Sequence, residues 1–224
     1  MLHGWGSSFK SWQHFFNEAN KQDFTYYFPE LPGFGDSPNP PTPWTVQDYL
    51  GFCKAFAEQI QPNYLLVHSF GGRIALKWLN EVNTFGKAIF VGAAGIKPKL
   101  RAHQKMVQNA AKVFKPLQKF PPIKFAKKIA TKLIGAEDYQ KAEGTLKQTF
   151  LNVIAEDLTD NLKNIHIPVE LVWGKGDTYT PLWMGMQMNQ LIPKSNLTII
   201  DEARHGVHMQ TPAKLAKIVE NFFH

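Results

Sequence analysis

The chain is short of the features that mark secreted, membrane-spanning and repetitive proteins. Its 224 residues include a single cysteine, Cys53, so no disulfide can form within the chain. No apolar run approaches the roughly 18 residues that span a bilayer. No cationic-then-apolar leader precedes His3, and the expected location is cytoplasmic. Internal repeats and low-complexity linkers are also missing. Acidic residues are absent from Lys97 to Lys132, where ten lysines and one arginine stand. That stretch alone accounts for the net charge of +7. It carries no recognisable nucleic-acid-binding motif, so no nucleic-acid partner is expected. Its two readings are a solvated lysine-rich face, or a field that draws anionic substrates or an acidic membrane surface.

What is present is a globular composition. Hydrophobic residues make up 44% of the chain, enough for a full core in one domain over residues 1–224. Runs rich in β-branched and aromatic residues place strands near Thr25–Phe28, Tyr64–His68, Ala88–Gly92, Pro168–Trp173 and Asn196–Asp201. Helical periodicity falls between them, over Lys10–Asn20, Thr45–Ile60, Gly71–Asn80, Pro181–Leu191 and Pro212–Phe222. Cys53 sits in the second of these with Tyr49, Phe52 and Phe56, as a packed thiol. Pro181 and Pro212 suit first-turn positions, where a missing N–H costs little. Strands alternating with helices imply an α/β fold with a mostly parallel sheet covered on both faces. More than sixty residues between Gly92 and Asp157 show helical periodicity and no strand. Pro38-Asn39-Pro40-Pro41-Thr42-Pro43 reads as a stiff loop at a cleft rim.

One window carries chemistry. In Val67-His68-Ser69-Phe70-Gly71-Gly72 a strand meets a helix through a very tight turn with a hydroxyl at its apex. Such a turn holds the serine Oγ clear of the backbone, beside free N–H groups at a helix N-terminus. Serine at neutral pH is a poor nucleophile. It needs an imidazole in reach, and the imidazole needs a carboxylate to fix its tautomer. Asp177 follows one strand, in Gly174-Lys175-Gly176-Asp177, and His205 follows another. Both fall on loops at the C-terminal edge of the same sheet.

With these residues in place the chain resembles the α/β-hydrolase superfamily over nearly its whole length. The order Ser69, Asp177, His205 is similar to that family's catalytic order. His3-Gly4-Trp5-Gly6 resembles its HG oxyanion turn, and Leu31-Pro32-Gly33-Phe34-Gly35-Asp36-Ser37 the loop after its fourth strand. Asp177 before Pro181, and His205 before Gln210-Thr211-Pro212, resemble its acid and histidine motifs. Two departures stand out. Val67 occupies a position usually held by glycine, and the first strands of the family sheet are absent or vestigial, because His3 is preceded by two residues. The resemblance implies a helical cap inserted at about residues 97–157. It implies Ser69 as nucleophile, His205 as general base and then acid, and Asp177 as orienting carboxylate. The backbone N–H groups of Trp5 and Phe70 become the oxyanion donors. His208 competes with His205 as base but is expected to pack nearby. His68 and His3 are read as structural, and Asp36 as a turn residue.

The expected activity is hydrolysis of carboxylic esters, lactones included, through an acyl-enzyme and with neither metal nor organic cofactor. The rivals are carbon–carbon bond hydrolysis of keto acids and a slow-turnover binding or sensing protein. A small-molecule ester or lactone is the expected partner. A strand at Thr25–Phe28 without its usual neighbour would leave a sticky edge, which favours a homodimer. A chain that starts downstream of its natural beginning is the alternative.

Overall fold

The structure, a computed structural model, describes residues 1–81, 85–97 and 136–224. Four short apolar runs form parallel strands: β1 Tyr64–His68, β2 Lys87–Val91, β3 Val169–Gly174 and β4 Ser195–Ile200. They lie in the order β1-β2-β3-β4, with Val67 opposite Phe90, Phe90 opposite Leu171 and Leu171 opposite Leu197. Crossover helices cover both faces, so the inner strands are apolar on nearly every side chain rather than on alternate ones, the exceptions being Lys87 at the start of β2 and buried Glu170 in β3, which accepts from the Thr198 hydroxyl. The alternation instead sorts side chains between two cores. Leu65, Val67, Ala88, Phe90, Leu171 and Trp173 face one core, and Leu66, Ile89, Val91 and Val172 the other.

Against the first core pack α2 Val46–Ile60 and α3 Phe70–Glu81; against the second, α1 Phe9–Glu18. The start of α2 is set by a capping box between Thr45 and Asp48, and its Tyr49, Leu50 and Cys53 are buried as the pattern requires. After β2 come α4 Ala136–Lys141, α5 Thr145–Ala155 and a 3₁₀ turn at Thr159–Asn164. The described residues between β2 and the 3₁₀ turn are thus largely helical. Residues 98–135, which hold the basic run apart from Lys97 and the apolar positions from Val113 to Ile134, lie outside the described residues. Helix α5 is tied to the proline-rich loop: Thr145 donates to the Pro40 carbonyl, and the Trp44 amide donates to Thr149 Oγ1. The chain closes with α6 Leu182–Leu191, a short α7 Val207–Gln210 and α8 Pro212–Phe223. Pro212 starts its helix as expected, whereas Pro181 stands one place earlier, as the N-cap of α6. Among the described residues no helix is long and apolar enough to cross a membrane.

One expected strand is not there. Thr25–Phe28 forms no ladder; Tyr26 and Phe28 turn onto Phe16 of α1 instead. The outer partner of β1 is Leu2, which bridges to Val67 in parallel register. Its N–H donates to the Leu66 carbonyl at 2.9 Å, and its carbonyl accepts from the His68 N–H at 2.9 Å. The Met1 amino group in turn donates to the Tyr27 carbonyl at 2.6 Å. Met1 and Leu2 therefore stand between β1 and residues 24–28, and the two segments do not pair directly. Beside them a cavity of about 580 Å³ is lined by Phe24, Tyr26, Phe56, Tyr64, Leu65 and Phe223. The strand edge on which two-fold pairing was argued is absent from this segment.

Candidate active site

Ser69 follows directly on β1 and precedes α3, and its backbone is left-handed at φ 49°. Few residues other than glycine accept that region. The turn is held by three main-chain hydrogen bonds: Ser69 N–H to the Val91 carbonyl, and the Gly72 and Ala94 N–H groups to the Ser69 carbonyl. The two glycines are required by close approach. A Cβ on Gly71 would stand 2.5 Å from the Leu2 carbonyl oxygen, and one on Gly72 2.5 Å from the Ala93 Cβ. Val67, the departure from the glycine expected there, is fully buried in the first core and leaves these bonds intact.

The loops after β3 and β4 bring the other two groups to Ser69. His205 Nε2 lies 2.9 Å from Ser69 Oγ, and His205 Nδ1 lies 2.8 Å from Asp177 Oδ2. The carboxylate fixes the tautomer: Nδ1–H donates to Asp177, which leaves Nε2 free to accept the serine proton. Asp177 is itself held from below. Its Oδ1 accepts the N–H groups of Tyr179 at 2.8 Å and Thr180 at 2.9 Å. The Trp173 indole N–H donates to the Thr180 carbonyl at 2.7 Å and closes the loop onto the core. Sequence reasoning passed over Thr180 and Trp173. A hydroxyl three residues after the acid, where it can close an Asx-type loop, was the available signal.

The HG turn packs against the serine. A Cβ on Gly4 would come 3.3 Å from the Ser69 Cβ. His3 ties this turn down: its Nε2 accepts the Leu31 N–H at 2.9 Å, so Nδ1–H donates to the Gly4 carbonyl at 2.7 Å. Burial pushes the His3 ring down to about 4, which keeps it neutral. Among the described residues neither the Trp5 nor the Phe70 amide N–H has a protein acceptor; Phe70 directly follows Ser69, and Trp5 directly follows Gly4. An apolar wall stands beside them. The Trp5 ring meets Phe34 at 4.8 Å, Phe150 of α5 at 5.0 Å and Phe70 at 5.5 Å.

Behind His205 lie two more histidines. His68 Nε2–H donates to the His205 carbonyl at 3.0 Å, and burial lowers its pKa well below the usual value. His208 stacks on Trp12 at 4.3 Å, and burial pushes it down to about 3. Neither ring nitrogen of His208 has a hydrogen-bond partner, so it packs and does not reach Ser69. Asp36 lies in a turn, its N–H held by Glu30. The described residues able to gather around an ion are Asp23, Glu220 and His224. Asn20 already donates to both carboxylates there.

Comparison with known proteins bears on the family and the fold. Residues 1–218 match the model of the alpha/beta hydrolase family. The biotin biosynthesis bifunctional protein BioHC of Teredinibacter turnerae is 26% identical over 99% of this chain, which spans only 43% of that protein's length. The pimeloyl-[acyl-carrier protein] methyl ester esterase of Aeromonas hydrophila is 24% identical, over 99% of this chain and 93% of its own length. Among solved structures, an esterase from Exiguobacterium antarcticum superposes with a TM-score of 0.75 at 20% identity, covering 99% of this chain and 90% of that one. A meta-cleavage product hydrolase from Pseudomonas fluorescens gives 0.72 at 16% identity, covering 99% of this chain and 88% of that one.

Proposed function

The chain belongs to the alpha/beta hydrolase family, and from that premise we propose that it is a serine hydrolase of carboxylic esters. One observation carries the reading: the continuous relay from Ser69 Oγ through His205 to Asp177, with contacts of 2.9 and 2.8 Å. Ser69 attacks the ester carbonyl as His205 Nε2 takes its proton. The oxyanion forms between the Trp5 and Phe70 N–H groups, each such donor being worth on the order of 10²–10³ in turnover. The alcohol leaves with the proton from His205, and water, activated by the same ring, releases the acid. A lactone is a cyclic ester and follows the same path.

The wall of Trp5, Phe34 and Phe150 favours an acyl or aromatic group beside the serine over a sugar. A relative named as a methyl ester esterase supports the ester class. Turnover of p-nitrophenyl butyrate by the purified protein, with a burst equal to the enzyme concentration, is the expected result. No turnover of any ester or lactone in a broad screen, beside hydrolysis of a vinylogous keto acid, would replace this reading with carbon–carbon cleavage.

A further inference from the structure

Three elements meet at the Thr180 hydroxyl. Thr180 Oγ1 lies 2.8 Å from Asp177 Oδ2, 3.2 Å from His205 Nδ1 and 2.9 Å from the Gly92 carbonyl oxygen. The residue is buried, and the Asp177 side chain beneath it is wholly so. Gly92, just past β2, leaves room for this meeting: with φ 47°, a Cβ there would stand 3.2 Å from Asp177 Oδ2 and 3.3 Å from His205 Nδ1. The loop backbone does not depend on the hydroxyl. The Thr180 N–H and carbonyl are bonded separately, to Asp177 Oδ1 and to the Trp173 indole.

We propose that Thr180 is a positioning residue for ester hydrolysis: its hydroxyl donates to Asp177 Oδ2 and holds that oxygen against His205 Nδ1–H. A charged oxygen takes a hydroxyl proton in preference to a neutral carbonyl, because charge-assisted bonds are roughly twice as strong. Two donors, Thr180 O–H and His205 Nδ1–H, then converge on one carboxylate oxygen. Two backbone N–H groups hold the other. The carboxylate cannot swing, and the imidazole keeps the tautomer that accepts the serine proton. The branched Cβ of threonine restricts χ1, so the hydroxyl stays aimed. Valine has the same shape and no donor; serine has the donor and lacks the methyl.

The inference rests on the ester-hydrolase reading, and its test separates the two. Wild type, Thr180→Val, Thr180→Ala and Thr180→Ser are compared for kcat and KM on p-nitrophenyl butyrate. The rate at which a fluorophosphonate labels Ser69, and the melting temperature, are read alongside. Losing a hydrogen bond to a charged group should lower kcat and the labelling rate by about tenfold to a hundredfold in the valine and alanine variants. KM should stay within about twofold, since the hydroxyl touches no substrate. Serine should recover most of the rate although it leaves a small void. A residue that only packs would give the reverse order, with valine the better variant and serine the worse. A folded valine or alanine variant with wild-type kcat and labelling overturns the inference and leaves the ester reading standing. A wild type that neither turns over an ester nor takes the label overturns both.

Discussion

Ser69 is held at φ 49°, a conformation that costs a non-glycine residue on the order of 1–3 kcal/mol. The strain is offset by the three main-chain bonds of its turn and lifts Oγ to His205 Nε2. Ser69→Ala should therefore fold normally and lose ester turnover by a factor on the order of 10⁴–10⁶, with His205→Ala close behind. A serine variant that kept most of its activity, free of contaminating esterase, would sink the mechanism. Val67 tests a different point. If its side chain crowded the turn, Val67→Gly would raise activity. Its complete burial among Leu2, Phe70 and Ile74 argues the opposite. The glycine variant should lose about 1.5–3 kcal/mol of stability by urea titration and gain nothing in kcat. A faster variant would show the elbow to be strained by valine. Ser69, Asp177 and His205 were legible because each sits just past a strand, beside turn residues that the local pattern marks. Thr180 was legible only in part: its spacing from Asp177 is local, but Gly92 and His205 reach it only through the folded sheet.

Residues 24–28 show what periodicity measures and what it does not. Phe24, Tyr26 and Phe28 are half-buried while Thr25 and Tyr27 are exposed, the period of two that a strand would show. That alternation reports one apolar face. A strand also needs a hydrogen-bonded neighbour, and the neighbour is decided by distant residues. Here a single bond from Met1 reaches Tyr27. Conversely Leu2 pairs with β1 although two residues carry no period. The strands near residues 64, 88 and 168 were readable because both their faces are buried, whereas the one near 196, largely open on its outer side, was readable from its β-branched run. Helix α2 was readable at its start, where Thr45 accepts the Asp48 N–H and Asp48 accepts the Thr45 N–H. This cap orders the helix that carries Tyr49, whose hydroxyl donates to the Pro32 carbonyl at 3.0 Å. Thr45→Ala should cost about 1 kcal/mol, seen as a lower urea midpoint with an unchanged slope. An unmoved midpoint would mean that Asp48 alone secures the helix end.

Charge and burial act on the whole molecule. The excess of positive charge lies between Lys97 and Lys132. If that segment steers anions, kcat/KM for an anionic ester should fall with salt more steeply than for a neutral one, since screening sets in over about 10 Å at 0.1 M. Parallel salt curves would favour the solvated-face reading. Acid stability follows from the buried histidines. Burial lowers His3 from 6.5 to about 4 and His208 from 6.5 to about 3, with His68 also held well below 6.5. Above pH 6.5 these rings are neutral folded or unfolded, and their contribution is flat. Below it the unfolded chain binds protons that the fold refuses, so stability falls as pH falls, until the folded values are reached. The paired carboxylates Glu30, Asp48, Glu81, Asp157 and Glu202 are lowered from 3.8 or 4.5, and their contributions are lost only below that range. The window from pH 6.5 to 4.5 therefore separates histidines from carboxylates. His208→Phe isolates one ring. Phenylalanine keeps the stack on Trp12 and removes two ring nitrogens that have no partner. The variant should be at least as stable as wild type at pH 7.5, because an unpartnered buried polar group is costly. Its advantage should then widen below pH 6.5 by about 1.4 kcal/mol per pH unit. Urea midpoints at pH 7.5, 6.5, 5.5 and 4.5 measure that difference directly. Two curves that stay parallel down to pH 4.5 would show that His208 takes up its proton inside the fold at its ordinary value.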